Sequence, residues 1–173
     1  MSQQKPVIFL AFANDRFSTS GFLRNLPDEE REILKALEKV DEQHYKLIHR
    51  SSVLADTVFD TFRKHRDHIA IFHFGGHSDS YHLQLETREG APDATGAKNL
   101  ADFLSQQTAP RLVFLNGCAT FQQVKRLRGV SYPRSIIATH QAVYDEVAAD
   151  CIKWLRMNGG GRATFLPLNK LSV

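Results

Sequence analysis

The chain has 173 residues, which is enough for one domain of ordinary size. Hydrophobic residues make up 42% of it and charged residues 24%, a globular composition that excludes a disordered or collagen-like chain. The formal net charge is +3, but the 22 basic residues are scattered among 19 acidic ones, so no nucleic-acid partner is expected.

The first part of the chain alternates between apolar runs and helical patterns. Pro6–Phe12, Tyr45–Ile48 and His68–Phe74 are apolar at successive positions, as in strands buried on both faces of a parallel sheet. Between them, Pro27–Gln43 opens with Pro-Asp-Glu-Glu, a favourable first helical turn because acidic side chains suit the positive end of the helix dipole. Ala55–Arg66 is the second predicted helix.

A polar excursion follows the third strand. Ser80–Glu86 alternates with period two, which predicts a small antiparallel hairpin or an edge strand. Thr87–Gly96 contains glycines and a proline and is predicted to be an exposed loop. Ala97–Gln107 then shows helical spacing, and Arg111–Leu115 is the fourth apolar run.

The alternation continues to the last helix. Phe121–Leu127 is a short helix candidate, Ser135–Thr139 the fifth strand and Tyr144–Met157 the last helix. Asn-Gly-Gly-Gly then stops the helix, so we expect an α/β domain over residues 1–158 and a short tail over 159–173. This order of elements predicts an α/β fold, a three-layer sandwich with a mainly parallel central sheet flanked by helices.

Two cysteines, Cys118 and Cys151, are too few for a disulfide framework, and the N-terminus lacks the pattern of a secretory signal. We therefore expect a cytoplasmic location. No apolar run approaches the roughly 18 residues that a membrane-spanning helix needs, so no membrane partner is expected either. Cys151 falls on the apolar stripe of the last helix and is predicted to be a core residue.

Reactive side chains follow two of the predicted strands. His77 follows the third strand after two glycines, and Cys118 follows the fourth strand after Gly117. We expect the glycines to let the backbone turn sharply and approach a ligand. Functional groups collect beyond the carboxyl ends of parallel strands, so the two side chains would emerge together if these strands are neighbours. An imidazole beside a thiol favours the thiolate, which is a strong nucleophile.

These segments resemble the CHAT family of caspase-like cysteine peptidases, which share the fold of caspases, separases and gingipains. The resemblance rests on IAIFHFGGHSDSYHLQLE, RLVFLNGCAT and SIIATHQAVYDEVAADCIKWL. It implies a caspase-like fold and a catalytic dyad of His77 and Cys118 that needs no metal and no organic cofactor. It further implies a protein or peptide substrate, and a sensor module or partner protein that controls cleavage in bacterial signalling or defence.

The resemblance also suggests roles around the dyad. The backbone amides of Ser78 and Cys118 would hold the oxyanion of the tetrahedral intermediate. Asp145 lies in a stretch where the family has acids, so it is a candidate for binding basic substrate side chains, although an acid there also suits a helix N-terminus. His140 follows the fifth strand and is predicted either to contact substrate or to lie on the surface.

Two departures from the family favour an alternative function. Ser78 stands where the family usually has glycine, and the C-terminal part is expected to be shortened. A catalytically weak interaction or scaffold domain of CHAT type is therefore the second hypothesis. A third is a metal site at His73 and His77 with Cys118 and His82 nearby, although His73 also fits an interior histidine that supports the dyad. Gly75–Gly76 favours a phosphate site only weakly, because no fuller glycine motif follows.

Overall fold

A parallel sheet with helices packed on it organises the part of the chain that the structure describes. The structure is a computed structural model, and it describes residues 5–15, 22–38, 44–77, 85–86, 92–93, 102–104, 106–117 and 135–138. Helix α1 spans Leu26–Leu37 and helix α2 spans Ala55–Lys64. The strands are β1 (Val7–Ala13), β2 (Lys46–Arg50), β3 (Ile69–Gly76), β4 (Leu85–Glu86), β5 (Pro92–Asp93), β6 (Leu112–Asn116) and β7 (Ser135–Ala138).

The main sheet has the strand order β2-β1-β3-β6-β7, and every neighbouring pair in it is parallel. Its strands coincide with the apolar runs of the sequence to within two residues at each end, so the predicted parallel sheet is confirmed. From β1 the chain adds β2 on one side and then crosses to add β3 on the other side. The topological switch point therefore lies between β1 and β3, and the carboxyl ends of these strands form the expected place for a ligand.

The sheet is buried on both faces, which explains why its strands are apolar at successive positions. On the face that α2 covers, the ring centroid of Phe9 lies 5.4 Å from that of Phe72 and 6.0 Å from that of Phe62. On the opposite face, Leu10 and Phe12 pack against residues of α1. Adjacent residues of β1 thus enter two different apolar clusters, and burial of both clusters is what holds the helices on the sheet.

Helix α1 begins where the sequence predicts, with Pro27 in its first turn. Its apolar residues Ile33 and Leu37 pack against the β1 side chains of the sheet. The carbonyl oxygen of Leu37 accepts a hydrogen bond of 2.9 Å from the hydroxyl of Tyr45, which leads into β2. The helix ends at Leu37, earlier than the predicted end at Gln43, and residues 39–43 lie outside the described ranges.

The segment after β3 contains a short antiparallel pair. β4 pairs antiparallel with β5, with Leu85 opposite Asp93 and Glu86 opposite Pro92. Leu85–Glu86 is thus a strand, as expected for the end of Ser80–Glu86, but its partner lies beyond that segment. The prediction that Thr87–Gly96 is a loop throughout is wrong, because β5 lies within it. Proline and aspartate are poor strand formers, so pairing with β4 rather than local preference makes this segment a strand.

The remaining predicted elements are described only in part. Residues 102–104 are helical, which agrees with the helix predicted over Ala97–Gln107. The helices predicted over Phe121–Leu127 and Tyr144–Met157 lie outside the described residues, as does the boundary proposed between residues 158 and 159. Within the described ranges, no helix has the length and apolar character needed to cross a bilayer.

His65 makes folding sensitive to pH. It caps the end of α2, and its Nδ1 atom is buried without a hydrogen-bond partner among the described residues. Burial, together with the charges of Lys46 and Lys64 and with His68, lowers the pKa of His65 below its ordinary value of 6.5. As the pH falls through about 6.5, the unfolded chain binds a proton at His65 more readily than the folded chain does. This histidine therefore makes the unfolding free energy fall as the pH falls.

Replacing His65 is therefore expected to flatten the pH dependence of stability. In His65→Gln, the loss of unfolding free energy between about pH 7.5 and about pH 5 should be smaller than in the wild type, because the titrating group is gone. Urea unfolding at a series of pH values measures this directly. Parallel losses in the wild type and the variant would contradict the assignment of this pH dependence to His65.

Candidate functional site

The candidate site lies at the carboxyl edge of the parallel sheet, beside the switch point between β1 and β3. The last residue pair between β1 and β3 is Ala13 opposite Gly76. Asn14 follows β1, and His77 follows β3. His77 is partly buried and directly follows the last residue of β3. Side chains that follow the ends of parallel strands surround the crevice in which such sheets bind ligands. The structure thus places the predicted histidine where a functional group is expected.

β3 and β6 are neighbours, which is the condition that the predicted dyad requires. They pair in parallel with Phe74 opposite Leu115 and Gly75 opposite Asn116. His77 therefore stands two residues beyond Gly75 in its strand, and Cys118 stands two residues beyond Asn116 in the sequence. Gly117 is buried at the end of β6, and Cys118 itself lies outside the described residues.

Gly75 and Gly76 permit close packing rather than a turn. The interpretation that they turn the backbone sharply is wrong, because both lie within the extended strand β3. A Cβ atom at Gly75 would lie 2.8 Å from Cδ1 of Phe12 and 3.1 Å from Oε1 of Glu29. A Cβ atom at Gly76 would lie 2.6 Å from the carbonyl oxygen of Ala13. The glycines therefore let β1 and α1 approach the end of β3 closely.

A buried hydrogen-bonded pair lies beneath this edge of the sheet. Oε1 of Glu29, in the first turn of α1, is 3.1 Å from Nε2 of His73 in β3. Both side chains are almost completely buried, at 3% exposed for Glu29 and 4% for His73. When the carboxylate of Glu29 is ionised it can only accept, and Nε2 of His73 is then the donor. The rings of Phe12 and Phe114 pack on the imidazole at centroid distances of 5.3 Å and 4.9 Å.

A second pair forms on the other side of β1. His49 in β2 and His73 in β3 are both register partners of Leu10. Oε1 of Glu30, the next residue in α1, lies 2.6 Å from Nε2 of His49 and also accepts a hydrogen bond from the hydroxyl of Ser51. The hydroxyl of Ser51 also lies 3.4 Å from Nε2 of His49, so Glu30 and Ser51 contact the same ring nitrogen and the group lacks the relay geometry of a catalytic triad. Its side chains are partly exposed, unlike the first pair.

Two more polar groups hold the carboxyl edge. Asn14, which follows β1, accepts from the amide of Leu23 at 2.8 Å and donates to the carbonyl oxygen of Leu23 at 3.0 Å. The backbone N–H of Asn14 donates to Oε1 of the buried Glu86 at 3.0 Å. In β6, Asn116 is 4% exposed, and its Nδ2 atom has no hydrogen-bond partner among the described residues. At the carboxyl edge of the sheet, these hydrogen bonds hold the backbone after β1, and Asn116 adds a buried polar side chain at the end of β6.

Only part of the predicted site is described. Ser78, Cys118, His140 and Asp145 lie outside the described residues, and so do Cys151 and His82. His73 is the interior histidine that the sequence suggests, and its Nε2 atom is engaged by Glu29. In the described ranges, no group of three or more histidine, cysteine or acidic side chains is arranged to hold a metal ion.

Sequence reasoning missed the burial of Glu29. Its position in the first turn of α1 was explained by the helix dipole alone, whereas the structure buries it against His73. A signal was present, because Glu29 precedes Ile33 and Leu37 at intervals of four residues and so continues their apolar stripe. An acid on the core face of a helix, in a chain with a histidine inside an apolar strand, indicates a buried pair.

Comparison with solved structures supports the architecture. The fold is similar to one described as a secreted C11 cysteine protease from Bacteroides thetaiotaomicron in complex with an irreversible peptide inhibitor, with a TM-score of 0.61 and 13% sequence identity. The match covers 88% of this chain and 54% of that chain, so this chain spans about half the length of the protease. The predicted α/β fold with a mainly parallel, caspase-like sheet is confirmed. No protein-family model and no curated protein matches the sequence.

Proposed function

We propose that this chain is a caspase-like cysteine endopeptidase of CHAT type that hydrolyses peptide bonds through Cys118 and His77. The observation that carries the proposal is the pairing of β3 with β6, which ends with Gly75 opposite Asn116. If this register continued for two residues beyond that pair, His77 would lie opposite Cys118. The similarity to a cysteine protease structure supports the same reaction class.

The proposed reaction is acyl transfer. The thiolate of Cys118 attacks the carbonyl carbon of the scissile bond, while the amides of Cys118 and Ser78 donate hydrogen bonds to the developing oxyanion. The C–N bond then breaks, and protonated His77 gives its proton to the leaving amine. Water attacks the resulting thioester, His77 takes up the proton, and the acid product leaves as the thiolate re-forms. Asp145 and His140 would contact the substrate.

The proposed setting follows from the CHAT resemblance. We expect a cytoplasmic protein whose activity responds to a sensor module or partner protein in bacterial signalling or defence. The similar solved structure is described as secreted, and that description is of the other protease. Ser78 in place of the usual glycine favours the second candidate, an interaction or scaffold domain with little activity, and the test below separates the two.

The test is the pH dependence of alkylation at Cys118. The chain has two cysteines, so a Cys151→Ser background leaves Cys118 as the only thiol. If His77 stabilises the thiolate, the midpoint of the iodoacetamide rate profile should lie about one pH unit or more below that of the His77→Ala variant. The rate profile is measured by mass spectrometry of the full chain.

His49→Ala is the matched control for this experiment. His49 is a partly exposed histidine on β2, on the far side of β1 from His77, so its removal should leave the midpoint unchanged. A midpoint typical of an ordinary thiol that His77→Ala does not move would contradict the peptidase and favour the scaffold domain.

A further inference from the structure

We propose that Glu29 is a positioning residue for the proposed peptidase, which holds the end of β3, and with it His77, through its buried contact with His73. The inference rests on the proposed function. In this role Glu29, in the first turn of α1, acts through β3 and not by contact with the substrate. Its role is to fix the backbone position from which the side chain of His77 extends, so that the imidazole lies close to the thiol of Cys118.

The geometry links Glu29 to His77 through two residues at the end of β3, His73 and Gly75. Oε1 of Glu29 lies 3.1 Å from Nε2 of His73 and 3.1 Å from the place where a Cβ atom of Gly75 would stand. His73 and Gly75 share one face of β3, and His77, the first residue after the strand, lies two residues beyond Gly75. The carboxylate therefore lies beside β3 at Gly75, two residues before His77.

The end of β3 needs such a support because it consists of two glycines. Glycine has no side chain with which to anchor the backbone, and it permits more backbone conformations than other residues. At Gly75 the neighbours that replace this anchor are the ring of Phe12 and the carboxylate of Glu29. These two neighbours hold Gly75, and therefore the start of His77, in a fixed position. This matters because small displacements of catalytic groups have large effects on rate.

Stability alone gives a weak reason for this pair. Replacing a buried polar pair by apolar side chains of similar volume is often neutral or stabilising, so burying Glu29 with His73 is not an efficient way to hold α1 on the sheet. Apolar residues of α1, among them Ile33 and Leu37, also pack against Leu10 and Phe12 of the sheet. The pair is instead explained by the position of Gly75, which its carboxylate fixes.

The test compares equal changes at adjacent glutamates in the Cys151→Ser background. Glu29→Asp keeps the charge but withdraws the carboxylate by one methylene from His73 and Gly75. We expect it to move the alkylation midpoint of Cys118 at least half of the way towards that of His77→Ala. Glu29→Gln keeps the length and an acceptor oxygen, so its midpoint should stay close to that of the parent chain.

Glu30→Asp is the matched control, because it shortens the neighbouring side chain that contacts His49 instead. Its midpoint should equal that of the parent chain, and urea unfolding shows whether the aspartate variants are folded and similarly stable. An unmoved midpoint in Glu29→Asp, when His77→Ala moves it, overturns the positioning role and leaves the proposed function standing. A midpoint that His77→Ala does not move overturns both.

Discussion

Cys118→Ala is expected to reduce hydrolysis of a denatured protein substrate at least about 10³-fold, because the proposed reaction has no other nucleophile. His77→Ala should also lower the rate strongly, since it removes both the thiolate partner and the proton donor for the leaving amine, and general acid–base catalysis alone contributes about 10²–10⁴-fold. Peptide products separated by mass spectrometry give the rates of the full chain and of each variant.

Cys151→Ala is the control for this loss. It removes the other cysteine of the chain, which is predicted to be a core residue on the last predicted helix, so activity should be retained in the folded variant. Hydrolysis that persists in Cys118→Ala, or that disappears with Cys151 instead, would contradict the assignment of the nucleophile. Labelling by a peptidyl electrophile should likewise fall on Cys118.

Gly76→Ala is expected to destabilise the fold by about 2 kcal/mol or more, because the new methyl group has no space. Its Cβ atom would lie 2.6 Å from the carbonyl oxygen of Ala13, a backbone atom of the adjacent strand β1 that cannot rotate away. Without that contact the same substitution would be stabilising by about 0.4–1 kcal/mol, because alanine restricts the unfolded chain. The sign of the change in urea unfolding therefore tests the packing.

Gly75→Ala, the same substitution one residue earlier in β3, is the comparison for Gly76→Ala. The atoms that its Cβ would meet first, at 2.8 Å and 3.0 Å, belong to the side chain of Phe12, and a ring can shift more easily than a strand. We expect a smaller loss of unfolding free energy than at Gly76. Equal or increased stability in Gly76→Ala would show that β1 and β3 do not approach as closely as the structure has them.

The strands of the main sheet could be predicted because burial on both faces leaves a strong local signal. Pro6–Phe12 and Arg111–Leu115 are apolar at successive positions, and each lies within one residue of the strand observed. The end of β3 was harder, since Gly75 and Gly76 carry no side chains and so no hydrophobic pattern. The sequence predicts a sharp turn at these glycines, whereas close contact with β1 keeps them in the strand.

Strand order and buried polar pairs required the structure. The sequence suggests that His77 and Cys118 follow strands, but the side-by-side pairing of β3 and β6 is a long-range property that no local pattern contains. The contact of Glu29 with His73 likewise joins residues that are 44 positions apart. Pro92–Asp93 forms a strand only through its partner β4, so its local preference is misleading.

The distance from Sγ of Cys118 to the nearest imidazole nitrogen of His77 decides whether the two residues form a dyad. A crystal structure of the chain with a peptidyl electrophile bound to the thiol would give it. We expect a separation of about 4 Å or less, since proton transfer needs near-hydrogen-bond approach. A separation beyond about 7 Å in that complex would contradict a catalytic pair at the ends of β3 and β6.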